Sequence, residues 1–89
     1  MNLGYSYTVD KAVLESLIGL RKTDRDRLLR TFAELTDNPF LDGDFARSSP
    51  EQPDLQVKRF GRWMVTWWVD HPVKKVRVAG VDLISLPRD

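Results

Sequence analysis

The stretch LQVKRFGRWMVTWWVD, residues 55–70, decides how this chain folds. Within it Trp63, Val65, Trp67 and Val69 alternate with Arg62, Met64, Thr66 and Trp68. A period of two in β-branched and aromatic residues is the mark of a strand with one buried face. Phe60-Gly61-Arg62 supplies a tight turn before it and Asp70-His71-Pro72 another after it. The run from Leu55 to Phe60 is therefore a preceding antiparallel strand. Val76 and Val78, opposite in facing to Arg77 and Ala79, belong to a last strand ending near Val81.

Working toward the N-terminus, Leu3, Tyr5, Tyr7 and Val9 alternate with small polar residues and predict a first strand. Asp10 is placed to cap a helix whose apolar stripe is Val13, Leu14, Leu17 and Ile18. Thr23, with Asp26 three residues on, predicts the cap of a second helix striped by Leu28, Leu29, Phe32 and Leu35. That helix must stop by Asn38-Pro39, because proline disfavours a helical residue before it. The short connection at 20–23 makes the helices an antiparallel hairpin. Residues 37–54 hold three prolines, one glycine, two serines and five acids, and read as an acidic loop tacked onto the core by Phe40, Leu41 and Phe45. The expected fold is α+β in the order β-α-α-β-β-β: an antiparallel helical hairpin packed on one face of a mostly antiparallel four-stranded sheet. Residues 1–89 read as a single domain.

Bulk properties narrow the function. At 42% apolar and 30% charged, the 89 residues have the composition of a globular domain rather than a disordered chain. There is no cysteine and a single histidine, which removes disulfides and a structural zinc site and points to a cytoplasmic location. No stretch approaches the roughly 20 apolar residues of a membrane span, and no signal peptide is evident. Neither a cofactor nor a metal is expected. The net charge of +1 argues against strong nonspecific nucleic-acid binding, but its distribution is uneven. Residues 37–54 carry five acids and one base, whereas residues 55–89 carry seven bases and three acids.

Facing assigns the basic residues. If Val65, Val69, Val76 and Val78 point at the helices, then Arg62, Met64, Thr66, Trp68 and Arg77 point away. On the preceding strand Leu55 and Val57 would go inward, and Gln56 and Lys58 outward. The uncovered face would then carry Lys58, Arg62 and Arg77 around Met64 and Trp68, with Arg59 near the turn. Cations interleaved with a flat aromatic suit phosphate contact with base stacking, and equally a protein interface or a solvated sheet face. His71 reads as a turn residue, Ser48 and Ser49 have no base to activate them, and Asp42 and Asp44 fall short of a calcium loop. Any chemistry here would be phosphoryl chemistry driven by the placement of Lys58, Arg62 and Arg77.

The order of elements and three text matches resemble the RelE/ParE superfamily, the toxin halves of bacterial type II toxin–antitoxin pairs. Ala12-Val13-Leu14-Glu15-Ser16-Leu17 is similar to that family's first helix, and Leu35-Thr36-Asp37-Asn38-Pro39 to the end of its second. Gly61-Arg62-Trp63-Met64-Val65-Thr66-Trp67-Trp68-Val69-Asp70 resembles its hairpin strand Gly-Arg-Tyr-Arg-Val-x-Tyr-x-Val-Asp. Met64 stands where the family typically has the arginine most tied to RNA cleavage. The end of the chain from Gly80 onward lacks the His-Arg pair and tyrosine usual in relatives. The resemblance implies a growth-inhibiting toxin neutralised in a hetero-oligomer by a cognate antitoxin. Antitoxin or target would be held by Lys58, Arg59, Arg62, Met64, Trp68 and Arg77. With Met64 in the arginine's place, DNA gyrase is the target the resemblance favours. A ribosome-dependent mRNA endonuclease using Lys58, Arg62 and Arg77, and a non-toxic antitoxin-binding module, are the alternatives.

Overall fold

The computed structural model describes residues 4–49 and 52–84. Five strands form one sheet in the order β1-β5-β4-β3-β2: β1 (Ser6–Val9), β2 (Phe45–Ser49), β3 (Gln52–Phe60), β4 (Trp63–Asp70) and β5 (Lys75–Leu83). Between β1 and β2 run α1 (Lys11–Ile18) and α2 (Lys22–Asp37). All neighbours are antiparallel except β1, which pairs in parallel with β5. The α+β architecture with helices on one face is as expected. Its addition is β2, a fifth strand inside the acidic segment read as a loop. The backbone of Phe45–Arg47 pairs with Leu55–Val57, and such pairing leaves no hydrophobic period to read at a sheet edge.

The core lies between the helices and the inner sheet face. Trp67, Phe32 and Leu28 are its largest fully buried side chains, joined by Val13, Leu17, Leu35, Trp63, Val65, Val76 and Val78. Tyr7 meets Phe32 edge-on and Phe60 tilts against Trp67, each an arrangement that ring quadrupoles favour. The alternation anticipated for β4 therefore holds. On α1, however, only Val13 and Leu17 are buried, while Leu14 and Ile18 are 49% and 69% exposed. An eight-residue helix lying on a sheet can turn only one i, i+4 row fully inward, and the neighbouring row lies about 100° away.

The caps also differ. Asp10 occupies the N-cap position of α1 in extended conformation but makes no side-chain cap bond. α2 starts at Lys22, so Arg21 rather than Thr23 is its N-cap. Asp26 accepts a hydrogen bond from Lys22 Nζ at 2.7 Å, an i, i+4 ion pair that takes the carboxylate away from capping. The helix does end before Pro39, at Asp37. Phe40 and Leu41 do not tack the following segment onto the core: they are 71% and 38% exposed. Leu3 and the Phe45, Ser48 and Ser49 side chains lie outside the described residues.

Two local features set the register that positions the outer face. Phe60 pairs with Trp63, so the β3–β4 turn is the two residues Gly61-Arg62, with Gly61 at φ +62° where a side chain would be strained. Between β4 and β5 the pairing slips once, from Thr66↔Gly80 to Trp67↔Val78, leaving Ala79 as an extra residue.

Candidate functional site: the outer face of the sheet

Cross-strand partners share a face, so the register decides which side chains meet. Met64, Thr66 and Trp68 of β4 point away from the helices, as expected, and Trp68 pairs with Arg77 of β5. On β3 the expected facing is reversed. Lys58 pairs with Val65 and is on the helix side, whereas Val57 pairs with Thr66 and Arg59 with Met64 on the outer side. A two-residue turn fixes this parity: counting back from Phe60, which shares Trp63's inner face, every second residue is inward. Val57 is only 3% exposed yet stands outside the main core cluster, as its outward position requires. The outer face thus presents Leu55, Val57, Met64 and Trp68 as its apolar centre, with Arg59 and Arg77 as its cations.

The six site candidates therefore separate. Arg59, Met64, Trp68 and Arg77 share the outer face. Lys58 does not join them: its Nζ lies 3.3 Å from Asp44 on the margin of the sheet. Nor does Arg62, whose Nη2 donates to Asp24 of α2 at 2.7 Å, tying the hairpin tip to the first turn of that helix. The acids that capture these two cations lie 14 and 38 residues away in sequence. The trio Lys58, Arg62 and Arg77 is not one constellation.

Arg77 is the less exposed of the two cations on this face. Its guanidinium carbon sits 5.4 Å from the centre of the Trp68 ring, within cation–π range, and its Nη2 reaches Asp70 at 3.4 Å. Its Nε is buried without a hydrogen-bond partner among the described residues. The Arg77 side chain is nonetheless 37% exposed, so its terminal N–H groups, oriented by the ring and the carboxylate, can meet a phosphate or carboxylate from outside. Arg59 is more exposed, and its Nε donates to the Gly61 carbonyl at 2.7 Å.

Asp44 marks the edge of the site. It accepts hydrogen bonds from the Arg59 backbone N–H at 3.0 Å and from Lys58 Nζ. The Arg59 N–H first, and Lys58 second, hold its carboxyl below the usual aspartate range. A folded value lowered in this way stabilises the fold above the unfolded value, and that contribution is lost as pH falls through the folded one. Backbone amides of residues 43–46 and 58–59 are expected to lose protection, relative to their intrinsic exchange rates, below about pH 4, and Asp44→Asn to flatten that dependence. Amide exchange followed against pH measures both. A profile unchanged by the substitution would assign the acid sensitivity elsewhere.

Among the described residues no helix is long and apolar enough to cross a membrane, and no group of three or more His, Cys, Asp or Glu side chains could hold a metal ion. No family model matches the sequence, and no curated protein matches it either. Solved structures do match. The archaeal RelE–RelB complex of Pyrococcus horikoshii contains a chain superposing with a TM-score of 0.72 at 21% identity, covering 93% of this chain and 96% of that one. The isolated Escherichia coli RelE toxin gives 0.75 at 17% identity, over 94% and 88%. The Mycobacterium tuberculosis toxin–antitoxin complex RelBE2 gives 0.74 at 19% identity, over 89% and 90%. The fold is that of the RelE toxins. At these identities the RelE likeness concerns backbone architecture and leaves the side chains of the outer face to be judged on their own.

Proposed function

We propose that this chain is the toxin component of a type II toxin–antitoxin pair, acting through the outer sheet face and neutralised when an antitoxin covers it. The observation that carries the reading is a RelE fold spanning almost the whole chain, with neighbours of that fold solved as toxin–antitoxin complexes. The face itself is consistent with the role: a half-buried apolar centre of Met64 and Trp68 beside the Arg59 and Arg77 cations suits a partner segment that is both apolar and acidic.

For the target, the RNA-directed alternative is better supported than gyrase, because the neighbouring structures are RelE toxins. Arg77, aligned by Trp68, is the group best placed to meet a phosphate of the RNA. Lys58 and Arg62 are engaged with Asp44 and Asp24 and belong to the stability of the fold.

Induced expression with separate readouts of translation and DNA supercoiling tests the proposal. The expected result is arrest of protein synthesis with cuts at defined codon positions, supercoiling unchanged, and cleavage lowered about 100-fold or more by Arg77→Ala. Altered supercoiling with intact translation would restore the gyrase target. Harmless expression would reduce the chain to an antitoxin-binding module.

A further inference from the structure

Phe40 follows the C-terminal end of α2 and is 71% exposed, which is unusual for a phenylalanine in so small a protein. One face of its ring lies on His71, with centroids 4.9 Å apart and planes 12° from parallel. His71 is fixed in turn by Tyr5, whose hydroxyl is 2.8 Å from Nδ1 and whose ring meets the imidazole edge-on. The phenylalanine is therefore held from behind with its other face toward solvent. It stands between two clefts. One, of about 340 Å³, is lined by Asp42, Gln56 and Val69 as well as Phe40 and His71. The other, of about 370 Å³, is lined by residues 37–41.

The charged side chains that line the two clefts, Asp37 and Asp42, are both acids. Asp37 and Asp42, one in each cleft lining, have no ion pair among the described residues. α2 points the negative end of its dipole here and has no basic residue in its last turn. Phosphate would be repelled. A planar cation would stack on the open ring face and meet a carboxylate at its edge, as guanidinium does better than ammonium.

We propose that the two clefts about Phe40 form a docking site for an arginine side chain of a partner polypeptide, separate from the outer sheet face. Phe40 supplies the stacking surface, Asp42 and Asp37 the counter-charges, and the Tyr5–His71 pair the support that keeps the ring in place. The site does not depend on the toxin reading, because it sits beyond the helix on the opposite side of the sheet from Arg77.

His71, the sole histidine, provides a single reporter for nuclear magnetic resonance. The intact protein is titrated with a blocked Gly-Arg-Gly peptide, its citrulline and lysine counterparts, and guanosine monophosphate. The expected result is a saturable shift of the His71 and Phe40 ring signals by the arginine peptide, with a Kd of about 1–10 mM, as suits a single side-chain contact. Citrulline should give no saturable shift, and lysine should bind more weakly. Phe40→Leu and Asp42→Asn, both at exposed positions, should each weaken binding at least threefold, and added salt should weaken it further. Equal shifts from arginine and citrulline peptides, no saturable shift from arginine, or preferential binding of the nucleotide would each overturn the proposal.

Discussion

Trp67→Ala is expected to remove about half of the stability of the fold, while Trp68→Ala, one residue further on, removes little of it. Trp67 is 1% exposed, packs against Phe60, and lies in the cluster with Phe32 and Leu28. Removing so large a side chain loses its transfer free energy and opens a cavity the surroundings only partly fill, together about 3–5 kcal/mol. A domain of this size commonly has about 5–10 kcal/mol in total, so about half of its stability would go. Trp68 faces the other way and its best contact is with Arg77, worth about 1 kcal/mol. Urea denaturation of both variants, followed by far-ultraviolet circular dichroism, compares them directly. Similar midpoints for the two would mean that the facing of β4 is wrong.

The second large effect is expected at Gly43. A Cβ built there would come within 2.6 Å of the Val57 carbonyl oxygen and 2.8 Å of its nitrogen. Both atoms are backbone of β3 and cannot rotate aside. Gly43→Ala must therefore push the segment off the strand, disturbing the hydrogen bond from the Gly43 N–H to Gln56 Oε1 and the Asp44 contacts beside it. A cost of about 1–3 kcal/mol is expected, as for other forced overpacking. Amide exchange should show it concentrated in β2 and the facing part of β3, with β1, β4 and β5 little changed. Uniform loss of protection, or none, would contradict this close approach.

What the sequence made legible follows from where periodicity has a physical cause. β4 was readable because its inner residues are all large and apolar, and a half-buried strand demands that alternation. On β3 the apolar Leu55 and Val57 suggest an inward facing that the fold reverses. The length of the Gly61-Arg62 turn, two residues between Phe60 and Trp63, was the better guide, and it puts Lys58 inward. β2 gave no signal, since an edge strand is made by backbone pairing that a proline-rich, acidic stretch does not advertise. Of the outer face, Met64, Trp68 and Arg77 follow from alternation, whereas Arg59 follows only from its place beside the turn. The engagement of Lys58 by Asp44 and of Arg62 by Asp24 was not, because each ion pair joins elements whose proximity only the folded chain creates. The Phe40 stack on His71 was hidden for the same reason.

The extra residue at Ala79 has a consequence for how this strand tolerates change. Val76 and Val78 face the core at a spacing of two, yet Val81, three residues further, packs against the same core. The insertion acts as a phase shifter: it moves the apolar reading frame of the second half of β5 by one so that Val81 returns inward and Asp82 stays out. Length changes between Val78 and Val81 are consequently not graded. Losing one residue removes the bulge and leaves Val81 inward on a regular strand, whereas losing two makes Val78 and Val81 neighbours, which a strand turns to opposite faces.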